Sequence, residues 1–127
     1  MKAIKTWIIT ILILLSYSSG MAQELGDKVY WMSTVEVSIS KLQSYYTFNA
    51  NELIPLMEEH GYVPVASWQT IVGDIEEVIF VAEFENMEAY HKARKSLLSS
   101  VDWANVSRKL DSLIKSIHTR FLSAAPF

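Results

Sequence analysis

The chain has 127 residues, half of them hydrophobic, with 11 basic and 14 acidic side chains and no cysteine. That length suits one domain. The acidic balance and the lack of a basic stripe argue against a nucleic-acid partner. Without cysteine the chain can form neither a disulfide nor a lipid-modified N-terminal cysteine.

The first 22 residues read as a secretory signal peptide. Lys2 and Lys5 precede an apolar run from Trp7 to Leu15 that only Thr10 interrupts, and Gly20-Met21-Ala22 offers small residues at the −3 and −1 positions of a cleavage site before Gln23. The run is short against the ~20 residues of a membrane span. The expectation is an exported protein, periplasmic or secreted, with no membrane association after cleavage. Losing Lys2 and Lys5 leaves the chain two charges more acidic than its formal −3. Residues 28–127 are then the folded domain. At about a hundred residues it can bury roughly 65% of its unfolded surface.

Val29 to Val37 is rich in β-branched and aromatic residues and predicts a strand. Val29, Trp31, Ser33, Val35 and Val37 share one face; Tyr30, Met32, Thr34 and Glu36 share the other. A helix is expected from Ser40, with Ser40 and Gln43 as a capping box. Leu42, Tyr45, Tyr46, Asn49, Leu53, Leu56 and Met57 recur at helical spacing. Pro55 removes a hydrogen bond and crowds the preceding turn, which predicts a kink near Asn51. His60-Gly61 ends the helix. Two strands follow, Tyr62 to Val72 and Glu76 to Phe84, joined by a turn at Gly73-Asp74. In the second, Val78, Phe80, Ala82 and Phe84 form one face. Asn86 should cap a helix from Met87 to about Ser99, with Met87, Tyr90 and Leu97 inward and His91, Lys92, Arg94 and Lys95 outward. Asp102 should cap a third helix, whose apolar stripe includes Trp103, Val106 and Leu110. Ser116 to Ser123 reads as a last strand.

The order β-α-β-β-α-α-β implies an α+β, ferredoxin-like fold: one antiparallel sheet with helices on one face. Apolar residues on both sheet faces then leave one face bare, and a second copy packing against it as a homodimer is the natural cover.

The segments LIPLMEEHG (53–61), ASWQTIVGDIEEVIFVAEFEN (66–86), VDW (101–103) and RFLSAAPF (120–127) carry a resemblance. The chain resembles the NIPSNAP family, within the dimeric α/β-barrel superfamily, over roughly residues 28–127. The resemblance implies the fold and the dimer. It implies little chemistry, since family members share no agreed reaction; wider relatives include cofactor-free monooxygenases, heme-degrading enzymes and isomerising enzymes. The first strand departs from the family pattern: an Arg-x-Tyr pair is typical there, and this chain has Ser33-Thr34-Val35.

No catalytic set stands out, no cofactor is implied, and the three histidines show no metal-ligand spacing. His60 fits either a base at a pocket mouth or a C-cap at the helix dipole. Glu36 and Glu83 lie in apolar strands, where a shielded carboxylate would be raised in pKa, although both stand near strand ends within reach of water. Trp31, Tyr45, Tyr46, Phe48, Trp68, Phe80 and Tyr90 could wall an apolar cavity between sheet and helices, with Tyr46, Asn49 and Trp68 as its polar-tipped members. The ligand-binding candidates are therefore Tyr46, Asn49, His60, Trp68 and Glu36. They suit an exported dimer that binds a small hydrophobic ligand, or alternatively a cofactor-free oxygenase or isomerase acting on such a molecule.

Overall fold

A computed structural model describes residues 28–126; the expected signal peptide lies outside them. Four strands, β1 (Val29–Glu36), β2 (Val63–Gln69), β3 (Glu77–Phe84) and β4 (Ser116–Leu122), form one antiparallel sheet in the order β2-β3-β1-β4. The helices are α1 (Leu42–Phe48), α2 (Ile54–Glu59), α3 (Met87–Leu98) and α4 (Trp103–Leu113). This is the expected ferredoxin-like α+β architecture, as an open sheet.

Strand alternation sorts the side chains by face. Trp31 pairs with Ala82, Ser33 with Phe80 and Val35 with Val78, and all of these look toward the helices. The opposite face carries Tyr30, Met32 and Thr34 of β1, Ile79 and Val81 of β3, and Ala66 and Trp68 of β2. Between helices and sheet lie two packed clusters. One joins Phe48, Leu56, Met57 and Tyr62 to Ala82, Phe84, Leu97 and Val106. The other joins Val35, Val37 and Val78 to Tyr45.

The first helix is divided, for the reason the sequence supplies. Asn49–Leu53 is a π-helical segment between α1 and α2, centred on the expected kink at Asn51, with Pro55 in the first turn of α2. A proline lacks the N–H that an α-helix needs and clashes with the carbonyl four residues back. One wide turn absorbs both defects without breaking the helix. The helix start differs from expectation. Ser40 lies inside a short 3-10 turn, Ile39–Lys41, and no side-chain cap forms there. Lys41 Nζ instead donates to the Ser112 carbonyl at the end of α4, 2.9 Å away.

The close of α2 is a Schellman motif. Tyr62 N–H donates to the Met57 carbonyl (3.0 Å) and Gly61 N–H to that of Glu58 (3.2 Å), with Gly61 at φ +99°. Asn86 caps α3 as expected, its Oδ1 accepting from Ala89 N–H at 2.8 Å. Asp102 does not cap α4: its backbone is already helical and its side chain makes no cap bond. Among the described residues no helix is long and apolar enough to cross a membrane.

Candidate functional site

Ser33 is a buried polar residue in the middle of β1, flanked on the same face by Trp31 and Val35. A small side chain at that point leaves room above the sheet. The space is a cavity of about 370 Å³ between the sheet and the helices. Trp31 and Phe80 form its floor with Ser33, and Tyr62 stands against Trp31 edge to face at 5.8 Å. Tyr45, Leu53 and Met57 descend from the first helical arm; Tyr90, Leu97 and Arg94 come from α3. Such a hollow, aromatic with a few polar groups, is the usual build of a small-molecule site.

The π-helical segment positions the polar group at one end. Asn49 opens that segment and lines both this cavity and an adjoining hollow of about 360 Å³ toward β2, with Tyr46, Ile54 and Phe80. Its Oδ1 and the Tyr46 hydroxyl are buried without a hydrogen-bond partner among the described residues. Orphan polar atoms of this kind cost about 1–3 kcal/mol each and are rare in folded proteins. Both sit where a bound molecule could satisfy them.

At the other end, near Tyr62, is Arg94, the one charged side chain among the described residues lining the cavity. It lies one helical turn beyond Tyr90, which packs against Phe121 of β4 at 4.6 Å between ring centroids. Arg94 was expected to point outward. It is exposed, yet it also rims the cavity.

Burial dominates the ionisation of the tyrosines. It pushes the Tyr62 phenol up to about 12; nearby Tyr90 adds to the rise and Arg94 opposes it. Burial also raises Tyr45, an effect opposed by the neighbouring Asn49 amide, and raises Tyr46. These three phenols keep their protons at neutral pH and act as donors and apolar walls, not as bases.

The five sequence candidates separate. Tyr46 and Asn49 lie together at the β2 end. Trp68 does not join them: it pairs with Ile79 on the far face of the sheet and is 56% exposed. The turn after α2 places His60 against α3, where its Nδ1 meets Ser96 Oγ at 2.7 Å, so it acts as a C-cap and brace away from the cavity lining. Glu36 ends β1 on the far face, half exposed, accepting from Ser116 Oγ at 3.3 Å with Lys115 Nζ at 3.9 Å. Glu83 pairs with Lys28 at 2.7 Å. Of the expected aromatic walls, Trp31, Tyr45, Phe80 and Tyr90 line the cavity, while Phe48 is packed core. Ser33, Tyr62 and Arg94 were not singled out as candidates. A lone serine on an otherwise apolar strand face was the legible sign of the first. No group of three or more metal-binding side chains occurs among the described residues.

The comparisons place this architecture. The family model described as NIPSNAP matches residues 30–127. No curated protein shows significant similarity to the chain. Among solved structures, a NIPSNAP family protein of unknown function from Agrobacterium tumefaciens superposes with a TM-score of 0.74 at 19% identity, covering 80% of this chain and 92% of that one. An uncharacterised NIPSNAP-like domain protein from Burkholderia xenovorans gives 0.73 at 16% identity, covering 80% and 89%. SnoaB, a cofactor-independent oxygenase from Streptomyces nogalater, gives 0.62 at 14% identity, covering 80% and 96%. At such identities the likeness is one of fold.

Proposed function

The chain belongs to the NIPSNAP family, and from that premise we propose that it is an exported, two-copy binding protein that holds a small hydrophobic molecule between its sheet and its helices. The observation that carries this reading is the aromatic cavity of about 370 Å³ above Ser33, lined at one end by Asn49, whose Oδ1 is buried without a hydrogen-bond partner among the described residues. Apolar walls supply affinity by releasing water, and the few polar groups fix orientation.

The two-copy state is supported by the far face of the sheet. Trp68 and Val63 on β2 are more than half exposed, and half-buried Met32 and Ile79 continue the apolar surface inward. An apolar strip across a sheet face is the kind of surface a second copy covers. Export rests on the residue pattern of positions 1–22.

Catalysis in the manner of a cofactor-independent oxygenase such as SnoaB is the second reading, favoured by the shared fold. The lining works against it. No histidine or carboxylate is among the cavity residues, and burial holds Tyr62 and Tyr45 protonated. A proton-abstracting step would need a base that those residues do not supply.

Calorimetric titration with 2-naphthalenemethanol, a neutral planar probe, tests the binding reading. The expected result is saturable binding of one molecule per chain, weakened at least tenfold by Ser33→Leu, which fills the space above the sheet. No saturable heat in the unaltered protein would defeat it.

A further inference from the structure

Arg94 is the observation the binding reading leaves unused. Ion pairs among the described residues employ Lys28, Lys109 and Lys115; Arg94 takes part in none of them. The chain as a whole carries more acidic than basic residues. Lys41, Lys92, Lys95, Arg108 and Arg120 also make no ion pair among the described residues, so what sets Arg94 apart is its place at the rim of an apolar cavity. A guanidinium has five donors in a planar fork that matches a carboxylate in two parallel hydrogen bonds. The adjoining apolar wall lowers the local dielectric and strengthens that pairing relative to open water.

Asn49 marks the opposite end. Arg94 lies near Tyr62, which packs on Trp31 and Phe84, whereas Asn49 lies near Tyr45, which packs with Val35, Val37 and Val78 further along the same strands. The Asn49 Oδ1 is an acceptor with no partner among the described residues. The cavity is thus cationic at one end, hydrogen-bond accepting at the other and aromatic between.

We infer that the ligand of this cavity is a flat amphipathic monoanion, with a carboxylate-type group at Arg94, an aromatic or similarly apolar body over Trp31 and Phe80, and a hydrogen-bond donor such as a hydroxyl facing Asn49. The inference rests on the cavity being a binding site and goes beyond it by assigning the ligand's polarity and direction. A neutral hydrocarbon would leave both polar ends unpaired. A dianion would place its second charge among apolar side chains at high cost.

Three probes of one scaffold, titrated calorimetrically at pH 7.5, test it: 2-naphthalenemethanol, 2-naphthoate and 6-hydroxy-2-naphthoate. The expected order is alcohol weakest, naphthoate about tenfold tighter, and hydroxynaphthoate about fivefold tighter again. Arg94→Gln should remove the preference for the acids over the alcohol, and Arg94→Lys should restore part of it. Asn49→Leu should remove only the gain from the ring hydroxyl. Equal affinity for alcohol and acid, or a preference that survives Arg94→Gln, overturns the anionic assignment while the cavity reading stands. A hydroxyl gain that survives Asn49→Leu overturns the assignment of direction. Failure of all three probes to bind removes both readings together.

Discussion

Ser33 and Tyr62 show how single residues set the character of the site. Ser33 stands in a row with Trp31 and Val35, where another large apolar side chain would have closed the sheet against the helices. Tyr62 packs edge to face on both Trp31 and Phe84, at 5.8 and 5.1 Å, and burial carries its phenol from 10.0 up to about 12. For a group whose folded pKa is raised, the stabilisation is complete below the unfolded value, near pH 10, and disappears as pH rises through the folded value. Tyr62→Phe keeps the ring contacts and removes the titration. Its unfolding free energy should therefore fall less steeply than that of the unaltered protein between about pH 10 and 12, the difference reaching roughly 2 kcal/mol. Denaturant melts at pH 8, 10 and 11.5 measure this, and parallel curves would show that Tyr62 titrates normally. At this scale the sequence is legible only in part. Asn49 and Tyr46 were recognisable as polar tips at helical spacing. Arg94 was not, because its neighbours Lys92 and Lys95 make the whole stretch read as a solvated face, and only the docking of α3 against β3 and the end of α2 brings it to the cavity rim.

The elements follow local rules closely, with one informative exception. Pro55 dictates a wide turn in the first helical arm, and that turn opens on Asn49, the residue left with an orphan acceptor. The same defect that relieves the proline therefore prepares the polar end of the cavity. Strand faces were legible because the period of two is strict: Trp31, Val35, Phe80 and Ala82 fall on the helix side as the alternation requires. Two helix starts were not. Ser40 and Asp102 have the right chemistry for caps, but a 3-10 turn displaces the first and a helical backbone disqualifies the second. The α2 ending is better determined. Gly61 has φ +99°, and a Cβ there would meet the Cβ of Ala93 at 3.4 Å. Gly61→Ala should cost about 1–2 kcal/mol of stability from backbone strain alone. A thermal melt unchanged from that of the parent protein would contradict the Schellman assignment.

The described domain is a one-sided sandwich: helices cover one sheet face and leave bare the other, where an apolar strip is bordered by Glu83, His118 and Arg120. Sequence reading reached this because both strand faces were visibly hydrophobic. It misplaced Trp68 because strand membership alone does not say which face meets the helices. If a second copy covers the far face, Trp68→Glu should shift the sedimentation coefficient at micromolar concentration from that of a dimer to that of a monomer. A monomeric parent protein would end the two-copy proposal. The central claim, a ligand held between sheet and helices, is tested most directly by a crystal structure of the protein with 6-hydroxy-2-naphthoate. The ring should lie over Trp31 and Phe80, with its carboxylate within hydrogen-bond reach of Arg94 and its hydroxyl toward Asn49. A ring seated on the far face around Trp68 and Val81, with the cavity above Ser33 left empty, would contradict it.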